Sequence, residues 1–327
     1  MPHKPPPQTL LDTIGHTPLV KLQRIDRHLP CDIFAKLEFL NPMGSIKDRI
    51  AKYMIEKAER EGKLKPGQLI VENSSGNTAM GMAMVAIQKG YRLKVVVRDS
   101  ITQEKINQLL ALGVEVQTVD ATLPPESPDS YNNVTPRIVA ETPDCFFPDQ
   151  HNNRDNNETY YKTLGPEIWE QMNGQIDYFI AGIGTGGTIG GIAQYLKEQD
   201  PNIQVIAVDP VGSIFYDYFR TGHVVPSSKR YLLEGLGDEF LIQTADFDNI
   251  DDMIQVTDRD AFHFTRRLVR EEGILAGGSS GAVMWAVFQL AEKLDKPARI
   301  VTVFPDSASR YLSTIFNDRW MQTHNLL

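Results

Sequence analysis

Short runs rich in Val, Ile and Leu alternate with segments of helical period along most of the chain, and this alternation narrows the fold more than any other feature. The runs predict strands at Asp32–Leu37, Gln68–Glu72, Leu93–Val97, Val114–Val119, Tyr178–Ala181, Val205–Val208 and Arg299–Phe304. The intervening periodicity predicts helices over Lys47–Arg60, Ala79–Lys89, Gln103–Leu112, Glu158–Met172, Thr188–Gln199, Arg259–Glu272 and Gly281–Leu294. Strands that are apolar on both faces need cover on both faces, and parallel strands need helical crossovers. The expectation is therefore an α/β protein of mostly parallel sheets covered by helices. A chain of 327 residues has room for two such lobes. Two stretches break the pattern: Asp120–Thr135 reads as a surface loop, and Val211–Ile242 as a long glycine-punctuated irregular region.

Charge excludes some functions. Lys and Arg total 33 against 42 Asp and Glu, a formal charge of −9 with no basic run, so nucleic acid is not an expected partner. A bound phosphate would have to be held by backbone N–H groups. Cys31 and Cys145 each lack a second ligand at metal spacing and read as buried thiols, so no metal is expected. Residues 1–15 carry Pro5, Pro6 and Pro7 and no apolar core of a signal peptide, and no apolar run reaches membrane-spanning length. The expectation is a soluble cytoplasmic protein with no membrane partner.

Four segments place small and hydroxyl residues at the start of a helix, where ligands of open α/β sheets bind. In Asn41–Arg49 a lysine, Lys47, falls in the first helical turn. The helix dipole and partial burial disfavour its charged form there, and a neutral amine is what Schiff-base chemistry needs. In Asn73–Thr78, the hydroxyls of Ser74, Ser75 and Thr78 and the backbone around Gly76 suit a carboxylate, although one of these residues would serve as a plain cap. In Gly182–Thr188, a nest of N–H groups with Thr185 and Thr188 suits a phosphate monoester, and the absence of a P-loop lysine argues against a nucleotide. In Gly273–Gly281, one of two adjacent serines caps the helix and the other is free to reach a heterocycle nitrogen.

In this order the segments resemble the tryptophan-synthase-like fold type II enzymes that use pyridoxal 5′-phosphate (PLP). Within them they resemble the cystathionine β-synthase and cysteine synthase family, over nearly the whole chain from Thr17-Pro-Leu-Val20 to Trp320. The resemblance implies two three-layer lobes with PLP in the cleft between them: a smaller mobile lobe over 46–150, and a larger one from 1–45 plus 151–327. No C-terminal regulatory domain pair is expected. It implies Lys47 as the Schiff-base lysine and Asn77 on the ring 3′-oxygen. It further implies Gly184, Thr185, Gly186, Gly187 and Thr188 around the phosphate, and Ser279 on the ring nitrogen. Ser74, Ser75, Gly76, Asn77, Thr78, Gln150 and Gly235 are implied as substrate contacts.

Val208–Ile214, Glu234–Phe240, Pro305–Ser307 and Asn317–Met321 are more similar to cystathionine β-synthases than to cysteine synthases. The expected reaction is thus replacement of the β-substituent of L-serine, or of O-acetylserine, by a thiol. Homocysteine is the expected acceptor, with sulfide, and so cysteine synthase, as the alternative. A dehydratase and a catalytically silent, partner-binding protein of the same fold are more distant readings. A homodimer is implied by the family. The chain departs from the pattern at Ser74, where Thr is common, at Ala79, where Gly is common, at His151, where Tyr often follows the glutamine, and at Val97–Ser100.

Overall fold

The computed structural model describes residues 6–74, 76–99, 101, 103–120, 122, 123, 127–226 and 229–327, without the side chains of Glu104 and Asn132. Its strands are β1 (Leu19–Lys21), β2 (Cys31–Leu37), β3 (Leu69–Asn73), β4 (Arg92–Arg98), β5 (Glu115–Val119), β6 (Tyr178–Gly182), β7 (Gln204–Pro210), β8 (Asp252–Val256) and β9 (Ala298–Phe304). Its helices are α1 (Lys47–Arg60), α2 (Asn77–Lys89), α3 (Gln103–Ala111), α4 (Tyr131–Glu141), α5 (Asp155–Lys162) and α6 (Leu164–Gln171) in the first half. The second half holds α7 (Gly187–Gln199), α8 (Phe215–Thr221), α9 (Asp258–Arg267), α10 (Gly278–Ala291) and α11 (Asp318–Thr323).

The chain forms two compact units, Met1–Gly15 with Asn41–Asp155, and His16–Leu40 with Asn156–Leu327. Within the first and smaller of these units, the turn Leu10–Thr13 packs on α2, and Lys52 donates to the Leu11 carbonyl at 3.1 Å.

The smaller unit is a parallel sheet in the order β3-β4-β5. Helix α1 packs on α2, and Gly81 lets them approach: a Cβ there would lie 3.0 Å from the Lys47 carbonyl oxygen and 3.2 Å from Ala51 Cβ. The first turn of α1 is thereby seated against α2. The larger unit has the order β1-β2-β9-β6-β7-β8, parallel except for β1. Helix α10 packs on β6 through β9 and lies close against α9, since a Cβ on Gly281 would strike the Ala261 carbonyl. Parallel pairing brings the C-terminal ends of β6, β7 and β9 to one edge. Gly182–Thr188, Val208–Ile214 and Pro305–Ser307, far apart in sequence, meet there.

Several expectations differ from what forms. The predicted helix Glu158–Met172 is two helices that break at Thr163, because Pro166 lacks an N–H and is tolerated only in a first turn. The break turns Glu167 and Gln171 onto the fully buried Lys36 of β2. The Lys36 ammonium bonds Glu167, Gln171 (2.8 Å) and the Thr17 carbonyl (2.5 Å). The loop expected over Asp120–Thr135 becomes helical at Tyr131, and the irregular stretch Val211–Ile242 contains α8. Strands β1 and β8 carry too few residues of alternating or apolar pattern to be seen in the sequence. The fourth small-residue segment follows α9 and a π-helical turn, Leu268–Glu272, rather than a strand.

Candidate active site

In the smaller unit, Lys47 is the first residue of α1. The turn before it is set by Gly44, which has φ +78°, and by the Ser45 hydroxyl, which accepts the Lys47 N–H at 3.2 Å. Helix α2 begins at Asn77, so Asn77 and Thr78 occupy its first turn. The Ser74 oxygen accepts the N–H groups of Gly76 (3.4 Å) and Ala79 (3.2 Å), so this hydroxyl tethers the helix start and keeps only its proton to give. The Thr78 hydroxyl already donates to Gln150 Oε1 (2.6 Å), and Gln150 Nε2 donates to the Asn73 carbonyl (3.3 Å). The loop and Gln150 are therefore one connected piece. Ser75 lies outside the described residues.

Beneath this loop, Glu72 on β3 is 0% exposed. Burial pushes its pKa up to about 8, with the negative charge of Asp149 adding to it, while the backbone N–H groups of Asn73, Gln150 and Asp149 pull the other way. His151, next to Gln150, is pushed down to about 4, chiefly by burial; Lys47 and Arg98 act in the same direction and Asp149 against it. It is therefore a neutral imidazole at ordinary pH.

In the larger unit, the loop after β6 reverses at Gly186, which has φ +77°, and enters α7 at Gly187. No side chain caps α7, so its first N–H groups keep their donor capacity. The loop's back is sealed. A Cβ on Gly184 would strike the Gly235 carbonyl, one on Gly187 the Asn156 side chain, and one on Gly186 would lie 2.5 Å from both Ala245 Cα and the Thr244 carbonyl oxygen. Asn156 Nδ2 donates to the Thr185 hydroxyl (3.0 Å), and the Thr244 hydroxyl donates to the Thr185 carbonyl (2.5 Å). Gly184, Thr185 and Thr188 remain partly accessible while Gly186 and Gly187 are buried. Accessible N–H and hydroxyl donors over a rigid glycine backing form a cradle suited to a phosphate.

Gly235, with φ +81°, presents its carbonyl to Gly184, and the Gly237 N–H donates to Ile183 O at 2.8 Å. Helix α10 starts at Gly278 with Gly277 as its cap, so neither serine caps it, contrary to the sequence expectation. Ser279 is 6% exposed and lies in the first turn of α10. A neutral hydroxyl poised at a helix start suits a ring nitrogen. The phosphate cradle, the lysine and this hydroxyl fit the chemistry of PLP.

Asn156 and Thr244 support Thr185 from 29 and 59 residues away, so no local pattern reveals them. Glu72 did leave a sign, a carboxylate inside an apolar strand. Among the described residues no group of three or more His, Cys, Asp or Glu could hold a metal ion, and no helix is long and apolar enough to cross a membrane.

The sequence pattern of the family described as pyridoxal-phosphate dependent enzyme matches residues 10–306. A cystathionine beta-synthase of Apis mellifera is 41% identical over 320 residues, covering 97% of this chain and 63% of that protein. Those of Oryctolagus cuniculus and Saccharomyces cerevisiae are 40% and 38% identical, covering 95% and 97% of this chain and 57% and 64% of theirs. The chain thus spans about three fifths of the length of these relatives. A crystal structure of a hydrogen sulfide-producing enzyme from Fusobacterium nucleatum superposes with a TM-score of 0.85 at 36% identity, covering 94% of this chain and all of that one.

Proposed function

Because the chain belongs to the pyridoxal-phosphate dependent enzyme family and so takes PLP as its cofactor, we propose that it replaces the β-hydroxyl of L-serine with a thiol, homocysteine, as a cystathionine β-synthase does. The observation that carries this reading is the 38–41% identity to proteins of that name over at least 95% of the chain. Bound PLP supplies an electron-withdrawing ring that acidifies the Cα–H of an amino acid joined to it.

Lys47 Nζ would hold the cofactor covalently; as a free amine it would take the substrate's Cα proton and return a proton to the departing hydroxyl oxygen, acting as base and then acid. The N–H groups and hydroxyls of Gly184–Thr188 would hold the phosphate, and Asn77 would donate to the ring 3′-oxygen. Ser279 would offer the ring nitrogen a neutral hydroxyl rather than a carboxylate, a partner that suits loss of the β-group over transamination.

The substrate carboxylate is taken by N–H groups of the 76–78 turn and the Ser74 hydroxyl proton, with Gln150 beside them; the Thr78 hydroxyl serves Gln150 instead. Ser75 and Gly235 belong to the same proposal as substrate contacts, and a cytoplasmic homodimer as the working form. Borohydride reduction and peptide mapping test the first link: the reduced cofactor is expected on Lys47, and a tag elsewhere overturns it. Serine or O-acetylserine, crossed with homocysteine or sulfide, tests the reaction. Cystathionine from serine and homocysteine is expected, and turnover from O-acetylserine and sulfide alone would make the chain a cysteine synthase. The sulfide-producing neighbour favours one further reading, release of sulfide when cysteine replaces serine, which sulfide evolved from cysteine and homocysteine would read.

A further inference from the structure

The sheet of the smaller unit carries one feature that its stability does not ask for. Position 72 is fully buried on β3, between Val71 and Asn73 and paired with Val95 of β4. An apolar side chain would fill such a site at no electrostatic cost, whereas a carboxyl must be desolvated. Glu72 Oε1 accepts the Asn73 N–H at 3.0 Å, and the backbone N–H groups of Gln150 and Asp149 also face the carboxyl. Asn73 is also the residue whose carbonyl receives Gln150 Nε2, and Gln150 in turn receives the Thr78 hydroxyl. Asp149, held at φ +52°, leads into Gln150 from a turn in which its carbonyl accepts the N–H groups of Asn152 and Asn153.

We infer that Glu72 is a positioning residue for Gln150, and that the state of its carboxyl governs how tightly the 74–78 loop holds the amino-acid substrate. The inference rests on the reading of that loop as the substrate-carboxylate site. Glu72 touches neither substrate nor cofactor; it acts through the Asn73–Gln150–Thr78 chain of hydrogen bonds. As a neutral acid it leaves that chain undisturbed. Ionised, it places a buried negative charge beneath a site that must accept a second one, with Asp149 already near. Burial favours the neutral form at pH 7 and places its loss near pH 8. Of the other charged groups here, Lys47 and Arg98 act on His151.

The test uses the PLP-loaded protein and follows cofactor absorbance as L-serine is added, between about pH 6 and about pH 9. Glu72→Leu is expected to weaken L-serine about tenfold at every pH with PLP still bound, and Glu72→Gln, which keeps the shape and the neutral form, to restore the affinity. Wild type should lose about tenfold in affinity relative to Glu72→Gln on crossing pH 8, whereas its melting temperature, read without substrate, should fall relative to that variant as pH rises toward 8 and stay level above it. Parallel pH profiles for wild type and Glu72→Gln, or unchanged serine affinity in Glu72→Leu, overturn the inference. A wild type whose cofactor spectrum ignores L-serine overturns the functional reading itself, and the positioning role with it.

Discussion

Substituting alanine for Gly186 separates two uses of glycine in the phosphate cradle. The new Cβ would lie 2.5 Å from Ala245 Cα and from the Thr244 carbonyl oxygen, and 2.8 Å from Ala245 N. Each distance is about 1 Å inside ordinary contact, and all three atoms are backbone. That backbone cannot retreat freely, because the Thr244 hydroxyl donates to Thr185 O and the Thr244 carbonyl accepts from Asn157 Nδ2 at 2.9 Å. The left-handed φ of +77° adds about 1–2 kcal/mol for any residue with a Cβ. Overlap adds about 1–3 kcal/mol, so Gly186→Ala should cost about 2–5 kcal/mol of stability. A loop displaced by about 1 Å should bind PLP up to a hundredfold more weakly.

Gly190, one turn along α7, is the control. The nearest atom to its added Cβ is the tip of the Asn157 side chain, at 2.8 Å, and the next is Asp246 Cβ at 3.3 Å. Moving Asn157 sacrifices about one hydrogen bond, near 1 kcal/mol, and alanine regains about 1 kcal/mol of helix propensity. Gly190→Ala should therefore lie within about 1 kcal/mol of wild type. Denaturant melts and absorbance titration with PLP measure both variants. A Gly186→Ala protein as stable and as tight for PLP as wild type, or two variants equally damaged, would refute the reasoning.

Three other outcomes follow from buried charge. Asp209 is pushed up to about 7 by burial, so the folded state keeps a proton that the unfolded state releases above about pH 4; stability falls as pH rises through that window. Asp209→Asn should gain on the order of 1–4 kcal/mol over wild type at neutral pH and nothing below pH 4, read from melting curves. His151 has the opposite sign: the unfolded state protonates below about 6.5 and the folded one only near 4, so wild type should lose on the order of 3 kcal/mol as pH falls through that range. His151→Gln should not lose it, and parallel acid melts would contradict this. Lys36→Ala should cost about 3–5 kcal/mol, since it strands Glu167 and the Gln171 oxygen without their shared donor, while the Thr17 carbonyl keeps Gln171 Nε2. A loss under 1 kcal/mol would show that water replaces it.

Much of this was written locally. The apolar runs and helical periods located seven of the nine strands among the described residues, and the start of α1 at Lys47, because burial on both faces and amphipathicity leave direct marks in composition. Gly186 could be suspected from sequence because a helix entered through consecutive glycines implies a left-handed turn. The use of the hydroxyls was not legible. Ser74 and Thr78 look like spare donors in the sequence, yet one tethers a helix start and the other is committed to Gln150, 72 residues away. Ser279 and Ser280 look like a cap and a spare, yet Gly277 occupies the cap position.

The sequence by itself determined which segments become strands and helices and which helix starts carry glycine and hydroxyl groups, since those choices depend on neighbours within a turn or two. Tertiary structure decided which of those groups have capacity left for a ligand. Hydrogen-bond satisfaction is settled by partners tens of residues away, which only the packing of loops, helices and strands brings to within 3.0 Å.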